Sequence, residues 1–197
     1  MEKYSVKITF TEPLLGTVAL DKELYGTYLG SKNPNGTQPD ELLSIEEQME
    51  KSTTGFFRDP ADSQPMLMDY QVKGFLKDSC GMLRRTGEAG SRNIKAYLKV
   101  LDGLVFVFPR FIRLGCTRES ITIFERPLRA QTAQGERIAL ARSEKAPAGT
   151  TLEFQVLILG QITESLLQEW LEYGALRGIG QWRNAGYGRF QYEMTAL

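Results

Sequence analysis

Gly178-Ile179-Gly180-Gln181-Trp182-Arg183-Asn184-Ala185-Gly186-Tyr187-Gly188 carries four glycines in the spacing G-x-G-x5-G-x-G. Before it lies a helical pattern: Thr163 as cap, then Leu166, Leu167, Trp170 and Leu171 on one side. After it, Phe190, Tyr192 and Met194 alternate with Gln191 and Glu193, the period of a strand from Arg189 to Met194. This helix-loop-strand order excludes the dinucleotide fingerprint, whose glycines follow a strand and open a helix. The G-x4-G-K-[ST] run of a P-loop is also absent. Glycines accept positive φ and let a phosphate approach backbone N–H groups without a Cβ in the way. Arg177, Arg183 and Arg189 bracket the loop, and no acidic residue lies between Glu172 and Glu193. Trp182 and Tyr187 offer faces on which bases stack. Two readings follow: a site for single-stranded nucleic acid, or a turn that merely reverses the chain and buries Trp182.

Working outward, Val6, Ile8 and Phe10 alternate with Ser5, Lys7 and Thr9, predicting a half-buried strand over Tyr4–Thr11. Val72, Phe75, Leu76, Cys80 and Leu83 predict a helix from about Asp69 to Arg85, with Gly74 and Gly81 inside it pointing to close backbone approach. Leu104–Phe108 reads as a strand covered on both faces, and Phe111–Leu114, Ser120–Phe124 and Thr151–Leu159 as further strands. Thr53–Pro65 reads as a loop. Residues 16–54 hold turn formers and an acidic stretch, with a short helix capped by Asp40 and carrying Leu42, Leu43, Ile45 and Met49, and read as an insertion or arm. Arg126, Arg129, Arg137 and Arg142 lie in a hairpin-like stretch suited either to phosphates or to a solvated surface. With no repeated βα unit, the order predicts α+β: one antiparallel sheet with helices on one face.

Composition narrows the chemistry. The 197 residues contain no histidine, which excludes a Ser-His-Asp triad, a His-ligated metal and a His base. Two cysteines, Cys80 and Cys116, are too few for a disulfide framework or a four-ligand zinc site and are expected to be reduced. No run of about 18 apolar residues and no signal-peptide core is present, so a soluble, cytoplasmic protein with no membrane contact is expected. No cofactor or metal is expected. Lys plus Arg number 24 and so do Asp plus Glu, a balance that argues against strong non-specific binding to DNA and permits only a local basic groove.

The glycine loop at this position resembles the C-terminal signature of the RAMP superfamily, the RNA-binding subunits of CRISPR effector complexes. Asp59-Pro60, Pro65 and Val72-Lys73-Gly74-Phe75-Leu76-Lys77 resemble that family's loop and Lys-Gly helix start, although Tyr70-Gln71-Val72 stand where it has small residues. Ser143–Thr150, with its Pro147-Ala148-Gly149-Thr150 turn, resembles a segment of the backbone-forming members of type III-like complexes. The resemblance implies a single modified ferredoxin-like (RRM-like) domain over 1–197 with insertions. It implies single-stranded RNA held along the sheet and helix face, DNA being the other polymer to consider, and side-by-side assembly with copies of itself or related subunits. It assigns Lys73 and Gly74 to the nucleic-acid backbone, together with Gly178, Gly180, Gly186 and Gly188. The residues add Arg126, Arg129, Trp182, Arg183 and Tyr187 to that expected site. No catalytic residue is assigned. Asp59 and Asp62 lie where some relatives place a cleaving Asp, but they read first as turn formers. Two alternatives stay open: an assembly subunit that has lost the nucleic-acid site, and an Asp-dependent ribonuclease.

Overall fold

The computed structural model describes residues 1–20, 53–86, 90–132 and 135–197, the side chains of 128–140 excepted. Strand β1 spans Glu2–Phe10 and is followed by the short strands β2 (Leu14–Leu15), β3 (Val18–Ala19), β4 (Thr54–Gly55), β5 (Phe57–Arg58) and β6 (Pro65–Met68). Helix α1 (Asp69–Leu83) leads through a 3-10 turn to α2 (Tyr97–Leu104), β7 (Val105–Phe108) and β8 (Phe111–Gly115). The long strands β9 (Thr122–Thr132) and β10 (Gly135–Ala146) precede β11 (Thr151–Ile158), α3 (Glu164–Arg177) and β12 (Phe190–Ala196).

Among the described residues the main sheet is ordered β12-β1-β11-β8-β6-β5, with β7 also paired to β11. Strand β1 is antiparallel to both β11 and β12, from Glu2↔Ile158 and Tyr4↔Ala196 onward. Between β1 and β7, which flank β11, the chain passes through β2–β6, α1 and α2, and α3 crosses from β11 to β12 with β1 between them. These two interleaved split βαβ units make the ferredoxin-like α+β fold. A second sheet, ordered β2-β10-β4-β3 with β9 on β10, stands beside it, where a single sheet was expected.

The period-two pattern of β1 sends Tyr4, Val6, Ile8 and Phe10 inward, against Leu152, Phe154, Val156 and Ile158 of β11. The helices cover that face with Val72, Phe75, Leu76 and Cys80 of α1 and Leu167, Trp170 and Leu171 of α3. Trp170 is fully buried, and its indole N–H donates to Ser91 Oγ at 2.7 Å. The other face of the central strands is polar, with Lys7 and Glu153 paired at 3.6 Å.

Local chemistry sets the helix ends. The Gln71 side chain reaches back to accept the Met68 N–H at 2.8 Å at the start of α1. Thr163 Oγ1 accepts the Leu166 N–H at the start of α3. Gly178 ends α3 with φ +84°, its N–H bonded to Gly174 O.

Several expectations need correction. Residues 96–104 hold α2, whose Tyr97, Val100, Leu101 and Leu104 spacing was available in the sequence. Strand β7 is covered on one face only: Phe106 and Phe108 are 36% and 46% exposed. The 53–65 segment is not all loop, since it contributes β4 and β5. The Asp40-capped helix lies outside the described residues. The chain does leave at Leu20 and return at Thr53 through a 3.1 Å backbone bond beside the β3–β4 pair.

Candidate nucleic-acid interface

Gly81 and Gly174 have packing reasons: a Cβ at Gly81 would sit 2.7 Å from Tyr97 Oη, and one at Gly174 would sit 2.1 Å from Phe75 Cζ. Gly74 has none among the described residues, where a Cβ meets nothing within 4 Å. Close approach is therefore the right reading for Gly81 and the wrong one for Gly74. A glycine inside a helix costs about 1 kcal/mol relative to alanine, and at Gly74 no packing contact among the described residues offsets that cost.

What Gly74 does is leave a groove open. The groove, of about 220 Å³, runs between α1 and the glycine loop, lined by Gln71, Gly74 and Asp78 from the helix and by Ile179, Gly180 and Arg183 from the loop. Positions 71, 74 and 78 share one stripe of the helix surface, and 70, 73, 74 and 77 share the next, so Gly74 belongs to both. On one bank the Lys73 ammonium donates to Asp102 O at 2.8 Å, lies 5.2 Å from the Phe106 ring centroid, and shares the Asp102 carboxylate with Lys77. Partial burial lowers the Lys73 pKa, while the bond from Lys77 lowers that of Asp102. On the other bank Arg177 Nε and Arg183 Nη1 both reach Asp78 Oδ2, at 3.4 and 2.6 Å. The Lys73 bank also feels the Asp69 carboxylate and is balanced, whereas among the described residues Arg177 and Arg183 share Asp78 alone and keep a surplus positive charge.

The glycine loop is built for the fold first. Gly178, Gly180, Gly186 and Gly188 all have φ between +72° and +90°. A Cβ on Gly188 would lie 1.9 Å from Ile179 O, and one on Gly180 would lie 2.6 Å from Leu15 O. The N–H groups of Gly178, Ile179, Gly186 and Gly188 already donate to Gly174, Gly188, Arg183 and Pro13 carbonyls. These four amides are occupied by the fold itself. Arg189 is turned to the Leu176 carbonyl at 3.0 Å.

Trp182 and Tyr187 are half-buried around Phe124, with ring centroids 5.4 and 5.1 Å from it. The exposed Arg126 guanidinium lies 5.4 Å from the Trp182 ring, and the Lys145 ammonium 6.0 Å from that of Phe124. This aromatic cluster, invisible in the linear spacing, joins the root of the β9–β10 hairpin to the loop. The hairpin itself runs in register from Thr122↔Lys145 to Thr132↔Gly135. Arg126 pairs with Ala141 and Arg129 with Ile138, so strand alternation puts positions 126 and 129 on opposite faces. The side-chain setting of Arg129 lies outside the described residues.

The structure thus brings Gly74, Gly180 and Arg183 to one groove, with Lys73 beside it and Arg126, Trp182 and Tyr187 at the far end of the loop. Sequence reading missed Asp78 and Lys77, though i+4 spacing from Gly74 and Lys73 marks both, and it missed Asp102, which no local pattern marks. Asp59 and Asp62 stand apart from this groove. Asp59 accepts the Ala61 N–H at 2.9 Å and the Arg113 guanidinium at 2.5 Å, contacts that hold its carboxyl below the usual range, the backbone bond most strongly. Asp62 accepts the Gln64 N–H and pairs with Arg113 at 3.0 Å. Among the described residues no cluster of three or more His, Cys, Asp or Glu is placed to hold a metal ion, and no helix is long and apolar enough to cross a membrane.

The fold has a solved counterpart. The whole chain superposes on a chain in the cryo-EM structure of Type III-B Cmr-beta bound to cognate target RNA, with a TM-score of 0.58 and 14% sequence identity. This chain spans 60% of the length of that one. No family model and no curated protein matches the sequence.

Proposed function

We propose that this chain is a structural subunit that binds single-stranded RNA in a CRISPR-type or related phage or mobile-element ribonucleoprotein. The observation that carries the reading is Gly74, a helical glycine unpacked among the described residues, on the floor of a groove with lysines on one bank and a surplus arginine cation on the other. A phosphodiester laid over Gly74 meets Lys73 and Lys77 on one side and Arg177 and Arg183 on the other, and Asp102 and Asp78 hold those cations extended before the polymer arrives. Trp182 and Tyr187, with Arg126, supply stacking surface at the end of the track. The target RNA named for the Cmr-beta structure favours RNA as the polymer.

One copy provides few phosphate contacts, so affinity comes from repetition along a strand, where each neighbour raises the effective concentration of the next. Phe106, Phe108 and Phe111, exposed along β7 and β8, support contacts with other subunits.

The test is fluorescence anisotropy with labelled single strands of roughly 30 nucleotides, long enough for several sites of the usual size, over a salt series. Cooperative binding is expected, weakening with salt. Arg183→Ala is expected to reduce the logarithmic salt slope by about 0.7 for each bound copy. Tight, non-cooperative, salt-insensitive binding, or none at low salt, would overturn the reading.

A further inference from the structure

The groove contains one acceptor that holding the arginines for a phosphate does not use. Asp78 is the only carboxylate lining it among the described residues. Its Oδ2 takes both arginines, while its Oδ1 accepts no hydrogen bond among the described residues, and the side chain is 30% exposed. Gln71 on the same helix stripe is used at both ends, accepting from Met68 N–H and donating to Thr17 Oγ1 at 2.7 Å. Leu67, Phe75 and Ile179 complete apolar walls.

A carboxylate beside a phosphodiester repels it, and becomes favourable only where the ligand brings a donor. The backbone of DNA has only acceptor oxygens. That of RNA adds one donor per nucleotide, the 2′-hydroxyl. Building on the RNA-binding reading above, we propose that Asp78 is the specificity-determining residue of the groove: its Oδ1 accepts a hydrogen bond from a ribose 2′-hydroxyl and so selects RNA over DNA. The apolar walls fit the carbon face of the sugar, and Arg177 and Arg183, held on Oδ2, keep Oδ1 turned to the groove. A hydrogen bond to a charged acceptor is worth about tenfold in affinity or more for each engaged site.

The experiment measures anisotropy of the full chain with oligouridine and oligodeoxyuridine, which share one base, and with 2′-fluoro oligouridine, which keeps an RNA-like sugar but lacks the donor. RNA is expected to bind at least about tenfold tighter than DNA, and the 2′-fluoro strand is expected to fall to the DNA level. Asp78→Ala is expected to bring RNA and DNA together, partly by improving DNA. A 2′-fluoro strand that binds as well as RNA would overturn the proposal, and this arm uses the unaltered chain, so it decides the matter even if Asp78→Ala fails to fold. An RNA preference that survives in a folded Asp78→Ala would overturn it too. Equal binding of both polymers sinks this inference alone, whereas binding of neither sinks the RNA-binding reading with it.

Discussion

Replacing Gly74 is expected to separate stability from binding. A Cβ at this position meets nothing within 4 Å among the described residues, and the residue lies inside α1, whose backbone is already helical. Gly74→Ala should therefore gain the full propensity difference, about 1 kcal/mol. For a chain of this size that raises Tm by roughly 2–4 °C. Gly74→Leu has nearly the same helix propensity, so the fold should tolerate it equally, but its branched side chain projects into a groove of only about 220 Å³. RNA affinity is expected to fall by at least tenfold, on the order of the 1.4 kcal/mol that separates decades. Thermal denaturation followed by circular dichroism gives the first quantity and anisotropy titration the second. Gly174→Ala is the contrast, because its Cβ would collide with the Phe75 ring and Tm should drop. A lower Tm for Gly74→Ala would mean the glycine serves packing after all. Unchanged RNA affinity in a folded Gly74→Leu would mean the polymer does not cross this helix, and would refute the reasoning.

Gly188→Ala places a Cβ 1.9 Å from Ile179 O at φ +72°, and is expected to destabilise by about 3 kcal/mol or more, lowering Tm by roughly 6–12 °C; a melt within 2 °C of the parent would contradict the close-packed loop. Asp59 has a lowered pKa in the folded state, so its contribution is present above the unfolded carboxyl value near ~3.9 and is lost as pH falls through the folded one. The parent should accordingly lose urea resistance, as pH falls below about 4, more steeply than Asp59→Asn, and parallel pH profiles would refute the assignment.

The periodic segments of this protein were legible in its sequence. Tyr4–Phe10, Thr151–Ile158 and the helix carrying Val72, Phe75, Leu76 and Cys80 bury one stripe each, and a stripe repeats at a period that the chain displays directly. The Thr163 cap and the turn at Gly178 belong to the same kind of signal, because a hydrogen bond to a residue three or four positions away needs no distant partner. Strand β7 was misread as covered on both faces because an apolar run says nothing about whether a neighbour exists on each side. Helix α2 was passed over because it is short.

The sequence by itself determined the α+β class, the absence of histidine chemistry, and a C-terminal loop that only glycine can close. Tertiary structure decided how that loop is held: the Gly178, Ile179, Gly186 and Gly188 amides donate to Gly174, Gly188, Arg183 and Pro13 carbonyls. It brought Arg183 onto Asp78 and Lys73 onto Asp102, residues 105 and 29 positions apart. It also distinguished Gly74 from Gly81, which look alike in the chain. The physical reason is common to all three: a local pattern records which backbone conformation a residue permits, whereas charge pairing and free volume depend on atoms that the fold brings in from elsewhere.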